Sequence, residues 1–188
     1  MKIYTRKGDD GTTGLLFGGR VRKDAAAPAA CGDVDEAQAA LGLARAAAER
    51  GAELDTLVVA LQRDLWVLMA ELATAAEHRD RLVAGTTLVT AAMVAALEPV
   101  IDDLGTRFDP PTEFVLPGQT HVAACLDLAR TVVRRAERSA LAVAAPGSAV
   151  VPYLNRLSDL LWTMARWQDG GSLPARALGP PTPTPTPE

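Results

Sequence analysis

The chain has 188 residues, with 23 acidic side chains against 19 Lys and Arg. It is long enough for one domain with a substantial core, and its net charge of −4 gives no overall basic surface to recruit nucleic acid. No signal peptide precedes the first charged residues and no run of about 18 apolar residues could span a bilayer, so a cytoplasmic protein without a membrane partner is expected.

From Thr5 to Lys23 the chain carries five glycines, the adjacent hydroxyls of Thr12 and Thr13, and basic residues at both ends. Between Lys2 and Asp24 six basic residues face three acidic ones, a local +3, while the rest of the chain is at −7. A glycine-rich backbone can turn its N–H groups inward around an anion, and a basic island on an acidic protein steers a polyanion to one place, so phosphate is the expected guest. Neither the G-x-x-x-x-G-K-[ST] loop nor the G-x-G-x-x-G fingerprint occurs. On composition alone, a flexible arm with solvated charges is an equal reading.

Asp24 to Pro28 reads as a connector. A first helix is expected from about Asp33, as N-cap, to Arg50, with Gly51 ending it. Leu54, Leu57, Val58, Leu61, Leu65, Leu68, Met69 and Leu72 repeat at helical spacing. They predict a second helix of about 24 residues, broken by the stretch Asp80 to Gly85. A third should start at Thr86 or Thr87 and reach about Leu104. Pro110 and Pro111 mark a loop. Glu113 to Thr120 is a short extended piece closed by Pro117-Gly118. A fourth helix is expected from about Thr120 to Ala144, and a fifth from near Pro152 to about Gln168, stopped by Gly170-Gly171. No segment demands a sheet. Residues 1–170 would form one domain with its arm at 4–24, and residues 171–188 a disordered Pro/Thr-rich tail.

Cys31 and Cys125 lack C-x-x-C spacing and read as reduced, partly buried thiols. His78 and His121 stand in neither H-E-x-x-H nor E-x-x-H spacing, which removes zinc proteases and disfavours a di-iron bundle. On the fourth helix Arg130, Arg134 and Arg138 lie at i, i+4 and i+8 and repel one another unless an anion lies across them; a solvated face is the plain alternative. On the fifth, Asn155, Asp159 and Arg166 form a polar line on an apolar helix, as expected of a lined pocket or subunit interface.

Four ordered blocks carry a resemblance. They are Tyr4 to Thr13 with Arg20 to Lys23; Gly32 to Glu36; Phe114 to Gly118 with Ala129 to Thr131 and Arg134 to Arg138; and Tyr153 to Asp159, with Gln62 and Ala70 to Thr74 between. The chain resembles the PduO-type ATP:cob(I)alamin adenosyltransferases. The resemblance implies an all-α, five-helix up-and-down bundle with an N-terminal Gly-rich nucleotide-binding loop, assembling as a homotrimer with ATP at each subunit interface. Thr5, Arg6, Gly8, Asp9, Gly11, Thr13 and Lys23 would bind ATP and its Mg2+, joined by Arg134, Glu137, Arg138 and Asn155 and by Arg130. Arg130, Asp35 and Phe114 would stand at the reacting centre, Asp35 paired with Arg130 of a neighbour and Phe114 beneath the corrin ring of cobalamin. No protein ligand to the metal is implied. A flavoprotein reductase and an adenosylcobalamin-dependent enzyme are the implied partners. Departures are local: Gln119, Asp127 and Cys31 stand where the family usually has a glycine, a histidine and an aromatic residue. A non-catalytic corrinoid carrier or nucleotide sensor on the same fold, and a plain helical oligomerisation protein, are the other readings.

Overall fold

Pro28 lies inside the first turn of a helix rather than in a connector. In the computed structural model, which describes residues 3–176, helix α1 spans Ala26–Ala47. First-turn N–H groups have no partner within a helix, so Pro28 loses no bond there. Asp33 is therefore not an N-cap. It sits within α1 and accepts from Ser139 Oγ and, at 3.3 Å, from Arg135 Nε.

Helix α2 spans Glu53–Leu72 and buries Leu54, Val58, Leu61, Leu65, Leu68 and Leu72 on one stripe. Asp55 in its first turn ties the preceding loop, accepting from the Gly51 N–H at 2.9 Å and Arg45 Nε at 2.7 Å. These bonds, the Gly51 N–H foremost, hold its carboxyl below the ordinary range. The helix ends well before Asp80, and a 3-10 helix, Ala76–Arg81, follows. Helix α3, Ala91–Gly105, begins at the cap Thr90, whose side chain accepts from Met93 N. Residues Thr86 and Thr87, expected to start it, instead close a turn on the Val83 carbonyl. Helix α4, His121–Ala140, is capped by Thr120. Helix α5, Val150–Asp169, has Pro152 in its first turn and ends at Gly170, which adopts the left-handed conformation.

The five α-helices bundle, but sequence neighbours are not all spatial neighbours. α4 lies between α1 and α5, α2 packs on α1, and α3 packs on α5. Leu41, Leu65, Leu68, Leu126, Leu157 and Leu161 lie in the core. Glu71, 1% exposed, ties two connections to α2: it accepts from Arg79 Nη2 at 2.8 Å and Val89 N at 2.8 Å in the one between α2 and α3, and from Ser148 Oγ at 2.6 Å in the one between α4 and α5.

The arm contains a sheet that the sequence reading did not expect. β1 (Thr12–Gly14) and β2 (Arg20–Arg22) pair antiparallel, with Thr13 opposite Val21. Three-residue strands among glycines and charges leave no apolar alternation to read. At the other end of the chain, residues expected to begin a disordered tail are paired. Leu116 N donates to Leu173 O at 2.9 Å and Ala175 N to Phe114 O at 2.7 Å. The rest of the expected tail, 177–188, lies outside the described residues. No helix among the described residues is long and apolar enough to cross a membrane.

Candidate active site

The hairpin gathers the arm's candidate residues. Arg20 braces it from within: Nε donates to Thr12 Oγ1 at 3.0 Å, and Nη2 reaches the Lys7 carbonyl. Arg22 pairs with Asp24 at 2.6 Å. Of the three basic residues at this end, Lys23 alone has no carboxylate partner among the described residues. Its ammonium lies beside Gly8: a Cβ built there would meet Lys23 Nζ at 3.1 Å. Lys23 N donates to Gly11 O at 2.9 Å, and Gly11 has φ +79°. Arg6, with φ +61°, sets its guanidinium over the Tyr4 ring at 5.5 Å. Thr5 Oγ1 accepts from Lys7 N at 3.4 Å, and Asp9, exposed, donates its N–H to the Arg6 carbonyl at 3.3 Å. Asp10 accepts from the Thr12 hydroxyl and N–H, which hold its carboxyl below the ordinary range.

The arm is fastened to the end of α2. Leu16 N donates to the Ala73 carbonyl at 2.8 Å, taking a helix-end acceptor, and Arg81 covers the Phe17 ring at 4.5 Å. Between arm, α1 and α2 lies a cleft of about 320 Å³ walled by Thr13, Pro28, Cys31, Asp35 and Met69. Burial pushes the Cys31 thiol up, and the neighbouring Asp35 carboxylate adds to it.

A second group forms on α4 and α5. Arg134 and Arg138 are exposed and have no carboxylate partner among the described residues; Arg138 Nη1 donates to the Arg134 carbonyl at 2.9 Å. Arg135, off this row, is consumed by Asp33 and Glu36. Asn155 Nδ2 donates to Glu137 Oε1 at 3.2 Å, joining two candidates.

A third feature is a cleft of about 550 Å³ lined by Phe114, Val115, Asp127, Arg130, Trp162 and Arg166. Phe114 is 90% exposed, so it is no core residue of this chain. The polar line expected on α5 separates here. Asn155 is exposed and Asp159 pairs with Arg156 at 3.5 Å, whereas Arg166 is 2% exposed. Arg166 Nη2 donates to Asp127 Oδ2 at 2.6 Å and Asp169 Oδ2 at 3.0 Å, and Asp127 Oδ1 accepts from Arg130 Nε at 3.1 Å. The sequence reading missed this network. Its one signal was opposite charge, an aspartate on the fourth helix and an arginine on the otherwise apolar fifth.

Among the described residues no hydrogen bond or ion pair joins Thr5–Lys23 to Arg130–Arg138 or to Asn155. Within the chain Arg130 is held by Asp127 and not by Asp35. Nor do three or more His, Cys, Asp or Glu side chains among the described residues cluster to hold a metal.

The sequence profile of the family described as cobalamin adenosyltransferase matches residues 3–168. The chain is 40% identical over 184 residues to the corrinoid adenosyltransferase of Mycobacterium tuberculosis, covering 90% of this chain and 94% of the relative. It is 38% identical over 182 residues to the corrinoid adenosyltransferase PduO of Salmonella typhimurium, covering 95% of this chain but 53% of the relative, about half its length. A solved variant of the PduO-type ATP:corrinoid adenosyltransferase from Lactobacillus reuteri, complexed with cobalamin and ATP, superposes with a TM-score of 0.83 at 28% identity, over 93% of this chain and 97% of that one.

Proposed function

The chain belongs to the cobalamin adenosyltransferase family, and from that premise we propose that it transfers the 5′-deoxyadenosyl group of ATP to cob(I)alamin, giving adenosylcobalamin and triphosphate. The family match along residues 3–168 is the observation that carries this reading. Cobalt(I) supplies the electron pair that forms the cobalt–carbon bond at C5′. The C5′–O bond breaks, and its electron pair leaves with triphosphate. The substrate is its own nucleophile, so the protein's work is to align the two reactants and hold the charge of the departing triphosphate.

Thr5, Arg6, Gly8, Asp9, Gly11, Thr13 and Lys23 hold the triphosphate of ATP on one subunit, and Arg134, Glu137, Arg138 and Asn155 of its neighbour close over it. Support comes from charge: Lys23, Arg134 and Arg138 have no carboxylate partner among the described residues, and a row of unneutralised cations is stabilised by a polyanion. Because arm and α4 row are not joined within one chain, a homotrimer whose interfaces unite them is the matching assembly. Phe114 stands under the corrin ring and excludes water from the lower face of cobalt, while Asp35 pairs with Arg130 across the interface. Mg2+ is carried on the triphosphate oxygens. The setting is the cytoplasm, with a flavoprotein reductase supplying cob(I)alamin and an adenosylcobalamin-dependent enzyme taking the product.

The test is spectroscopic. Chemically reduced cob(I)alamin is mixed with the protein, and its absorbance is followed on adding ATP with Mg2+. Loss of the cob(I)alamin band with stoichiometric adenosylcobalamin and triphosphate is expected. Tight binding of both ligands with no transfer would identify a carrier or sensor instead.

A further inference from the structure

Asp127 is 5% exposed, and its two oxygens serve arginines from different helices: Arg166 of α5 at 2.6 Å and Arg130 of its own helix at 3.1 Å. Arg166 is itself fixed twice. It is 2% exposed and also donates to Asp169 Oδ2, while Asp169 Oδ1 accepts from the N–H of Thr120, the N-cap of α4, at 3.1 Å. Burial and two helices therefore immobilise every member of this chain of contacts except the last, Arg130. Arg130 is bound through Nε alone, and its two terminal amines have no partner among the described residues. A guanidinium is a planar fork, so fixing Nε fixes the direction in which the terminal amines point and removes rotamer freedom that binding would otherwise have to remove.

We infer that Asp127 is a positioning residue for the adenosyl transfer, holding Arg130 at the cleft it lines with Phe114 so that its terminal amines meet the partner's Asp35, on the corrinoid side of the site, already ordered. The inference rests on the adenosyltransferase reading and deepens it. Two guanidiniums and two carboxylates balance in this network. Without the Asp127 charge, the network holds two guanidiniums and one carboxylate, Asp169, which is bonded to Arg166. Asp169 keeps Arg166 in place, so the repulsion moves the less buried partner, Arg130. The contrasting possibility is that Asp127 only neutralises buried Arg166. Its loss would then lower stability without acting through Arg130.

The experiment uses the full chain as wild type, D127N, D127E, R130A and D127N/R130A. Steady-state kinetics are measured with each substrate, and folding is checked by circular dichroism. Positioning predicts that D127N lowers kcat/KM for cob(I)alamin by about tenfold or more, leaves KM for ATP within about twofold, and is partly rescued by D127E. In the R130A background D127N should change the residual rate by less than about twofold, because the group it acts through is gone. Where R130A turns over too slowly, the same cycle is read from cob(II)alamin affinity in the presence of ATP. If D127N does not fold, the cycle is run with D127E, for which a loss confined to the Arg130 background is expected. Equal losses in both backgrounds, or D127N kinetics equal to wild type, overturn the inference and leave the adenosyltransferase reading standing. A wild-type chain without turnover overturns both.

Discussion

Gly8→Ala is expected to weaken ATP binding while leaving the fold intact. A methyl at position 8 would meet Lys23 Nζ at 3.1 Å, Lys23 Cε at 3.2 Å and the Thr12 carbonyl at 3.1 Å. Ordinary carbon contacts begin near ~3.5 Å, so each is several tenths of an ångström too close. Gly8 is not among the glycines with positive φ, so its backbone accepts a side chain and the difficulty is crowding alone. The Thr12 carbonyl is held by the hairpin, whereas the lysine end is flexible, so the ammonium is what gives way. Surface changes of this kind alter stability by about 0.5 kcal/mol or less. A charge-assisted contact from Lys23 to phosphate is worth about 1.5–3 kcal/mol, or roughly 10- to 150-fold in affinity. Calorimetric titration of ATP into wild type, G8A, K23A and G8A/K23A reads this directly. Both single variants should bind weakly, and the double variant no more weakly than K23A, because the two act through one ammonium. Wild-type affinity in G8A, or losses that add in the double variant, would refute the reasoning. Gly11→Ala makes the contrast: nothing lies within 4 Å of its Cβ, but φ is +79°. It should strain the arm by about 1–2 kcal/mol whatever occupies position 23.

Glu71→Ala strands Arg79 and two further donors around a site 1% exposed. A loss of about 3–5 kcal/mol follows, so calorimetry should find Tm lower by roughly 6–20 °C, and a drop under about 3 °C would contradict the hub. Burial and then the Asp35 carboxylate raise the Cys31 thiol, so Asp35→Asn removes a charge that opposes the thiolate. Iodoacetamide labelling of Cys31 at pH 8, located by peptide mass, should quicken in that variant, and an unchanged rate would remove Asp35 as a cause. Ala175→Pro deletes the N–H that donates to the Phe114 carbonyl at 2.7 Å. Hydrogen exchange at the Leu116 amide should rise, and unaltered protection there would show that the C-terminal segment does not hold the Phe114 loop.

The stripe on α2 was legible because eight apolar residues repeat at helical spacing with no competing signal. The start of α1 was not, because Pro28 marks a break everywhere except in a first turn, and the cap at Ala25 offers no side-chain hydrogen bond. Thr86 and Thr87 carry the same capping hydroxyl as Thr90, the residue that starts α3. Only the turn at Gly85, with three N–H groups on one Val83 carbonyl, decides between them. In the arm, composition found a basic glycine-rich stretch but could not sort its cations: Arg20 and Arg22 are occupied inside the hairpin, while Lys23 is left beside Gly8. The Asp127–Arg166 pair joins residues 39 positions apart on two helices, a separation that no periodicity encodes. The row Arg134–Arg138 was visible from its spacing, since it lies along one helix face.

The claim that the site is divided between an arm and the α4 row of a neighbour is tested most directly by mixing two crippled chains. Chains carrying K23A, and chains carrying R134A with R138A, are each produced alone and also co-expressed in equal amount, and cob(I)alamin adenosylation is measured. Each pure assembly should be nearly inactive. In random mixed trimers about one site in four unites an intact arm with an intact row, so roughly a quarter of wild-type activity should return. A mixture no more active than its components would contradict the divided site, because arm and row would then have to act within the same chain.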